Sequence, residues 1–428
     1  MWKLKDIRQL TIDEILLFIY GFIGTMPIIS IGGKTAWVYL TLLVVMWNIM
    51  ILFTDKELKI TYSQTATPLV VITIFTLISA FCCIMGDMPA VWINSQSNKI
   101  ILEICYLLIF ILYAGKDRIH LLKNYVKGVY YASIIHMLWA YAQLVVKTVS
   151  TSTLNEIVFV KLLHMASPDT SVEVAEHLPG LCWHSSNMAP LMVFGFAMSK
   201  SPVLKLGFIG ISIACGSRTT TLGVFVCAVI QIARFIYKHR GKYNVPAKLA
   251  QIGFIVIAMF LIAFSFTDAA KHYVTMLTGA FERFMGTFGG DQGSAGMHAS
   301  YWTSVFDVIN MSSIANVLIG YGIDCSGYVF SVLFGYYEGS QWVCEADTIN
   351  LLWSYGFIGV SLRYFWYVFC IGRCRKADSR YLDFFIPLLL MGITYNVMYN
   401  WCLILMYSLF LLGNEKIKFK ETIREDAA

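Results

Sequence analysis

The sequence predicts an all-α protein: a polytopic bundle of about twelve transmembrane helices. Three observations predict it. The 428 residues are 58% hydrophobic and 14% charged, where soluble domains run about 45–50% apolar and about 25% charged. Apolar runs near the ~20 residues a helix needs to cross a ~30 Å hydrocarbon core recur along the chain. Basic residues gather in alternate connections between those runs, as they do in membrane proteins.

Taken in order, the expected spans are 11–31, 36–53, 66–86, 99–114, 124–146, 186–199, 203–215, 219–237, 249–267, 347–370, 381–396 and 399–413. The first follows the basic stretch Met1 to Arg8 and lacks a small-x-small cleavage site, so it is read as a retained helix. The basic connections carry Lys56/Lys59, Lys116/Arg118/Lys123, Lys200/Lys205, Lys238/Arg240/Lys242/Lys248 and Arg373/Arg375/Lys376/Arg380. The N-terminus (Lys3, Lys5, Arg8) and the tail (Lys416, Lys418, Lys420, Arg424) share their side. Both termini are therefore expected in the cytoplasm, and the net charge of +6 follows from this sidedness rather than from a nucleic-acid partner.

Two outer connections are long, 148–185 and 268–346. Compact connections are usually only a few residues, so these are expected to be ordered, partly helical caps. Most cysteines lie in apolar runs, where they act as small core residues. Cys182, Cys325 and Cys344 fall outside, and Cys325 with Cys344 is the pair nearest in sequence for a disulfide. The chain shows no zinc spacing, no P-loop, no dinucleotide fingerprint and no internal repeat.

Three clusters carry candidate chemistry. Gly216-Ser217-Arg218-Thr219 joins two apolar runs at an outer turn. The run before it, 203–215, spans only about 20 Å as a helix, so either the span starts deeper in the basic Lys200–Lys205 segment or Arg218 lies below the outer surface. A cation there needs a partner; a lipid-linked diphosphate would serve, and a snorkelling arginine is the plain alternative. In Pro179 to Asn187, His184 is a candidate base or donor and Asn187 a helix cap or sugar contact. At the end of the long loop, Glu345 and Asp347 are either first-turn acids favoured by the helix dipole or a general base. Arg283 and His298 offer further outer donors. Glu103 near one end of a run and His136 mid-span are intramembrane ionisable groups, and Arg363 is expected to snorkel inward.

In this order the segments resemble the O-antigen ligase and polymerase (Wzy-type) superfamily of bacterial polysaccharide assembly. Gly216 to Thr219 is similar to the family's Gly-Ser/Thr-Arg turn, and Pro179-Gly180 through Asn187 to its Gly-x-Phe-x-x-x-Asn entry to a helix. Tyr301-Trp302 before Leu318 to Gly322 resembles the family's aromatic helix and Gly-x-Gly turn, and Glu345 to Gly359 its loop-closing segment. The likeness covers 178–360. It departs where ligases place a His-Asn pair, since Glu345 and Asp347 stand there, which favours a polymerase.

The resemblance implies a GT-C-like membrane enzyme of the bacterial inner membrane that polymerises polyprenyl-diphosphate-linked oligosaccharides on the outer face, without metal or cofactor. Arg218, with Arg283 or His298, would hold the diphosphate; Glu345 or Asp347, then His184, would take the acceptor proton; Asn187, Trp302 and Tyr321 would contact sugar. Membrane lipids and a chain-length regulator are the expected partners. The alternatives are ligase-type transfer to another acceptor, or a lipid-linked oligosaccharide flippase or transporter. Transporters commonly show repeats and broken helices around a midplane site.

Overall fold

The computed structural model describes residues 11–31, 34–54, 66–84, 90–114, 116–150, 152–163, 178–238, 305–323, 325, 329, 346–393 and 395–425. These residues are mostly helical, and the strands among them form one two-residue hairpin. Helix α1 (Ile12–Ile23) opens on a capping box: the Thr11 hydroxyl accepts the Glu14 amide, and the Glu14 carboxylate accepts the Thr11 amide. The hairpin follows, with Ser30 opposite Thr35 and Ile31 opposite Lys34.

Then come α2 (Ala36–Thr54), α3 (Thr67–Ile84), α4 (Ala90–Tyr113), the single turn α5 (Lys116–Ile119) and α6 (Leu122–Val149). Helices α1 and α6 approach at paired glycines. A Cβ on Gly21 would lie 2.3 Å from the Tyr125 carbonyl oxygen, and one on Gly128 would lie 2.3 Å from that of Phe18. Small residues allow this closeness between apolar helices. Further on lie α7 (Ala189–Met198), α8 (Pro202–Ala214), α9 (Arg218–Lys238), α10 (Ile314–Ile319), α11 (Asp347–Ala377), α12 (Arg380–Met391) and α13 (Asn400–Glu425).

The core joins α4, α11 and α13 through aromatic rings. Phe110 meets Trp366 edge-on at 6.2 Å between centroids, and Trp366 lies 5.3 Å from Phe410. The outside is apolar as well. On α2, Leu43, Met46, Met50 and Phe53 form an exposed stripe, and on α9 Phe225, Val229, Ile232 and Ile236 form another. Among the described residues, three helical stretches are long and apolar enough to cross a membrane: Ala36–Thr54, Leu122–Lys147 and Arg218–Tyr237. Apolar helices at Thr67–Phe81, Pro202–Ala214 and Asn400–Asn414 are shorter.

Polar contacts sort the bundle into two ends. At one, Arg118 pairs with Asp13 at 3.1 Å, Arg234 donates to Asp383 at 2.9 Å, and Arg380 donates to the Met198 carbonyl at 2.9 Å. Lys205 reaches Gln231 at the same end. At the other, Ile28 N–H donates to Leu181, Leu178 N–H to Cys215, and the Val397 and Met398 amides to Asp347.

Several helices depart from the expected spans: α1 ends at Ile23 rather than near 31, α4 begins at Ala90 rather than near 99, and α11 and α13 run on to Ala377 and Glu425. Helix α7 has ten residues, and Ala189 to Ala197 are all buried. It is enclosed by protein, so its length need not match a bilayer. The run expected over 381–396 is helical only to Met391. The helix stops there because the next segment is bonded elsewhere: Thr348 N–H takes the Gly392 carbonyl, and Asp347 takes the amides of Val397 and Met398.

Arg363 corrects the expectation of a snorkelling cation. It is 4% exposed and donates through Nη2 to Thr76 Oγ1 at 2.9 Å and Glu103 Oε1 at 3.3 Å, with its guanidinium 3.9 Å from the Tyr355 ring centroid. Glu103 likewise serves as its counterion inside the bundle. The enclosed guanidinium thus has a carboxylate and a hydroxyl as partners inside the bundle, as a buried charge requires.

Candidate functional site

The Arg218 turn is built by hydroxyls. Gly216 takes φ +72°, the left-handed conformation that closes the end of α8. Ser217 Oγ accepts the Thr220 amide at 3.3 Å, capping α9, and lies 3.2 Å from Ser186 Oγ. Thr220 Oγ1 donates to the Ser185 carbonyl at 3.2 Å. Two of the sequence clusters, 178–187 and 216–220, are thereby one unit. Arg218 sits half-buried at the first position of α9 and has no hydrogen-bond or ion-pair partner among the described residues.

This unit lies well down the side of α6. The Gly180 amide donates to Gln143 Oε1 at 2.8 Å, and Leu181 N–H donates to His136 Nδ1 at 3.2 Å. At ~1.5 Å per residue, those contacts are about 9–20 Å short of the end of α6 at Val149. His136 is fully buried, and its Nδ1 is used as a backbone acceptor.

His184 spends its Nδ1 in the same manner, accepting the Ser186 amide at 3.2 Å as the N-cap of the 3-10 turn Ser185–Met188. A neutral imidazole whose Nδ1 accepts carries its proton on Nε2. His184 is thus arranged as a donor more than as a base. Asn187 N–H closes that turn on His184 O at 3.0 Å.

The loop-end cluster is also partly occupied. Asp347 Oδ2 accepts the amides of Val397 at 2.9 Å and Met398 at 2.8 Å, which makes the carboxylate the anchor of the segment before α13. Asn350 Nδ2 donates to Asn396 Oδ1 at 2.6 Å. Tyr321 bonds through its hydroxyl with Ser312, and its amide donates to Trp353 O at 2.7 Å. Gly322 N–H takes Ser354 O at 3.1 Å. Those carbonyls are released by a break in α11 at Gly356, with φ +61° and ψ −174°. The Gly320–Gly322 turn therefore fills the break. Arg283, His298, Trp302, Glu345 and the Cys344 half of the candidate disulfide lie outside the described residues.

One feature escaped the sequence reading. A cavity of about 360 Å³ opens at the same end as the Arg218 turn, with Lys34, Lys99, Trp183, Asn187, Asn400 and Trp401 in its wall. Its wall includes the hairpin, the 182–187 segment and the start of α13, next to the residues that Asp347 holds. The signal was Lys34 and Lys99 themselves, two basic residues at the ends of expected spans on the side otherwise poor in them. Among the described residues no three His, Cys, Asp or Glu side chains converge as metal ligands. Comparison with known protein families and with curated proteins gives no match.

Proposed function

We propose that this chain is a multi-pass membrane glycosyltransferase of the O-antigen polymerase type, extending glycans on a polyprenyl-diphosphate carrier. It would lie in a bacterial cytoplasmic membrane with both termini cytoplasmic and about twelve spans. The observation that carries the reading is Arg218: a half-buried guanidinium at a helix N-terminus, tied by Ser217 to the 184–187 segment and unpartnered among the described residues. The family resemblance of those segments supports it.

Helix α8 rises about 20 Å from Pro202 at ~1.5 Å per residue. With its basic end at the inner boundary of a ~30 Å core, Arg218 lies about 10 Å beneath the outer one. A diphosphate headgroup drawn to that depth meets a forked cation, hydroxyls and the positive end of α9. In the reaction, an acceptor hydroxyl oxygen attacks the anomeric carbon of the donor. The bond from that carbon to the phosphate oxygen breaks, and the diphosphate leaves on its lipid with the bonding electrons. Arg218 stabilises that growing anion, with Arg283 or His298 assisting.

The hydroxyl proton passes to a carboxylate. With Asp347 Oδ2 committed to two amides, Glu345 is the better base of the pair. His184 acts as a donor, and Asn187, Trp302 and Tyr321 contact sugar.

Two observations favour this over a transporter. The break in α11 is filled by the Gly320–Gly322 turn, and the intramembrane pair Arg363–Glu103 is closed on itself. The test is Arg218→Ala in cells. Long glycan chains disappear and single lipid-linked repeat units accumulate while the protein level holds. Wild-type chain lengths in that variant would remove Arg218 from the mechanism.

A further inference from the structure

The cavity at the hairpin lies outside the segments that resemble the polysaccharide enzymes, apart from its wall at 182–187. Its volume, about 360 Å³, falls within the range of about 300–1,000 Å³ typical of small-molecule sites. Trp183 and Trp401 bring indole rings to its wall, and Asn187 and Asn400 bring amides that both donate and accept. Lys34 and Lys99 are also in the wall, and the recognition that follows draws on neither charge.

The neutral polar groups of the wall are uncommitted. Among the described residues, the side-chain amides of Asn187 and Asn400, the ring N–H groups of Trp183 and Trp401 and the Tyr399 hydroxyl make no hydrogen bond. Trp401 is the sharpest case. It is only 6% exposed, and its carbonyl accepts the Tyr125 hydroxyl at 3.0 Å, yet its ring N–H is neither paired nor sealed in. Elsewhere in the bundle Trp37 and Trp139 spend the same group on Tyr106 and Asn155. Hydrogen-bonding groups left over beside apolar walls select a ligand that supplies their partners, because one that does not leaves them unmade.

Indole faces beside primary amides suit a sugar ring, with its C–H surfaces and its rim of hydroxyls. An acetamido substituent suits them further. Its carbonyl accepts and its N–H donates, so an asparagine amide meets it with two bonds, and its methyl adds apolar contact that a plain hydroxyl lacks.

We infer that this cavity binds an N-acetylated sugar unit, its ring against Trp183 and Trp401 and its acetamido group on Asn187 and Asn400. The assignment of that unit to the acceptor glycan rests on the glycosyltransferase reading; the binding itself does not. Asn187 stands one residue from Ser186, whose hydroxyl meets the Arg218 turn. A sugar held here is therefore next to the place proposed for the donor diphosphate.

The experiment titrates the full-length protein, in phosphatidylcholine nanodiscs, with diacetylchitobiose and with cellobiose, which carries hydroxyls in place of the acetamido groups. Saturation-transfer NMR reads both the affinity and the part of the sugar in contact. Diacetylchitobiose binds with its acetamido methyl most strongly saturated, and cellobiose binds on the order of tenfold more weakly or worse. Trp183→Ala weakens binding by a similar factor and Trp183→Tyr retains most of it; Trp183 is 46% exposed, so neither variant disturbs the thermal unfolding of the protein. Trp401→Phe keeps a ring and removes only the N–H, and it weakens binding by severalfold.

Equal binding of the two disaccharides overturns the inference, and so does undiminished binding in Trp183→Ala. Absence of binding by either sugar overturns it as well, and means that the apolar wall serves a lipid tail. Because the readout is binding, it stands apart from the Arg218→Ala result: polymer retained there ends the glycosyltransferase reading and leaves the cavity question answered separately.

Discussion

Replacing Arg363 by Met unseats the charge pair that ties α3, α4 and α11 together. Arg363 keeps 5% of its side-chain surface exposed and Glu103 keeps 14%, so both are well inside the bundle. Removing one member of a buried pair costs about 3–5 kcal/mol, because the remaining charge is stranded. The partial exposure of Glu103 places this variant near the low end, about 3 kcal/mol. Loss of the guanidinium from the Tyr355 face, 3.9 Å away, adds about 0.5–2 kcal/mol. Equilibrium unfolding of the detergent-solubilised protein measures it. The variant Glu103→Gln is destabilised similarly, and the double variant costs less than the two singles summed, since neither charge is then left alone. A single-variant cost below about 1 kcal/mol, or strict additivity, would refute the pairing as a structural tie.

Gly356 sits at φ +61°, and a Cβ there would lie 2.3 Å from the Leu318 carbonyl carbon. Gly356→Ala must push the Gly320 turn out of the break in α11, and limited proteolysis near residue 320 rises with a stability loss of about 1–3 kcal/mol; unchanged cleavage and stability would show that the break is not so tightly filled. Asp347→Asn retains a carbonyl oxygen for the Val397 and Met398 amides, whereas Asp347→Ala retains none. If Asp347 is an anchor, glycan chain length in cells falls much less with Asn than with Ala; equal loss in both would make it the base after all. Ser217→Ala removes the cap of α9 and the link to Ser186, costing about 1 kcal/mol in unfolding assays and shortening the glycan chains.

How much of this was legible in the sequence depended on the length scale. Each expected span within the described residues contains a helix, because apolar runs set the positions of helices. Their ends were less legible. Met391 ends α12 through bonds from Asp347 and Thr348, more than 40 residues earlier in the chain, and nothing local announces it. The buried state of α7 was hidden as well, since a lipid-facing helix and a protein-enclosed one have the same composition.

Within the site, the Gly216 to Thr221 turn was readable because glycine and hydroxyls report a local need. Its junction with Ser185 and Ser186 is long-range and was not. Arg363 shows the same limit: a charge in an apolar run reads alike whether it snorkels or pairs, and its counterion lies on another helix. Lys34 and Lys99 were visible as exceptions to the sidedness of charge, yet only the folded bundle puts them in one wall.

The central claim is that this protein lengthens a lipid-linked glycan at Arg218. Its most direct test is purified protein in liposomes supplied with a polyprenyl-diphosphate-linked repeat unit and no other acceptor. A ladder of longer glycans still attached to the carrier, with free polyprenyl diphosphate released in step and both lost in Arg218→Ala, is the expected result. Active preparations that move the unit across the bilayer without lengthening it, or a ladder that persists in Arg218→Ala, would contradict it.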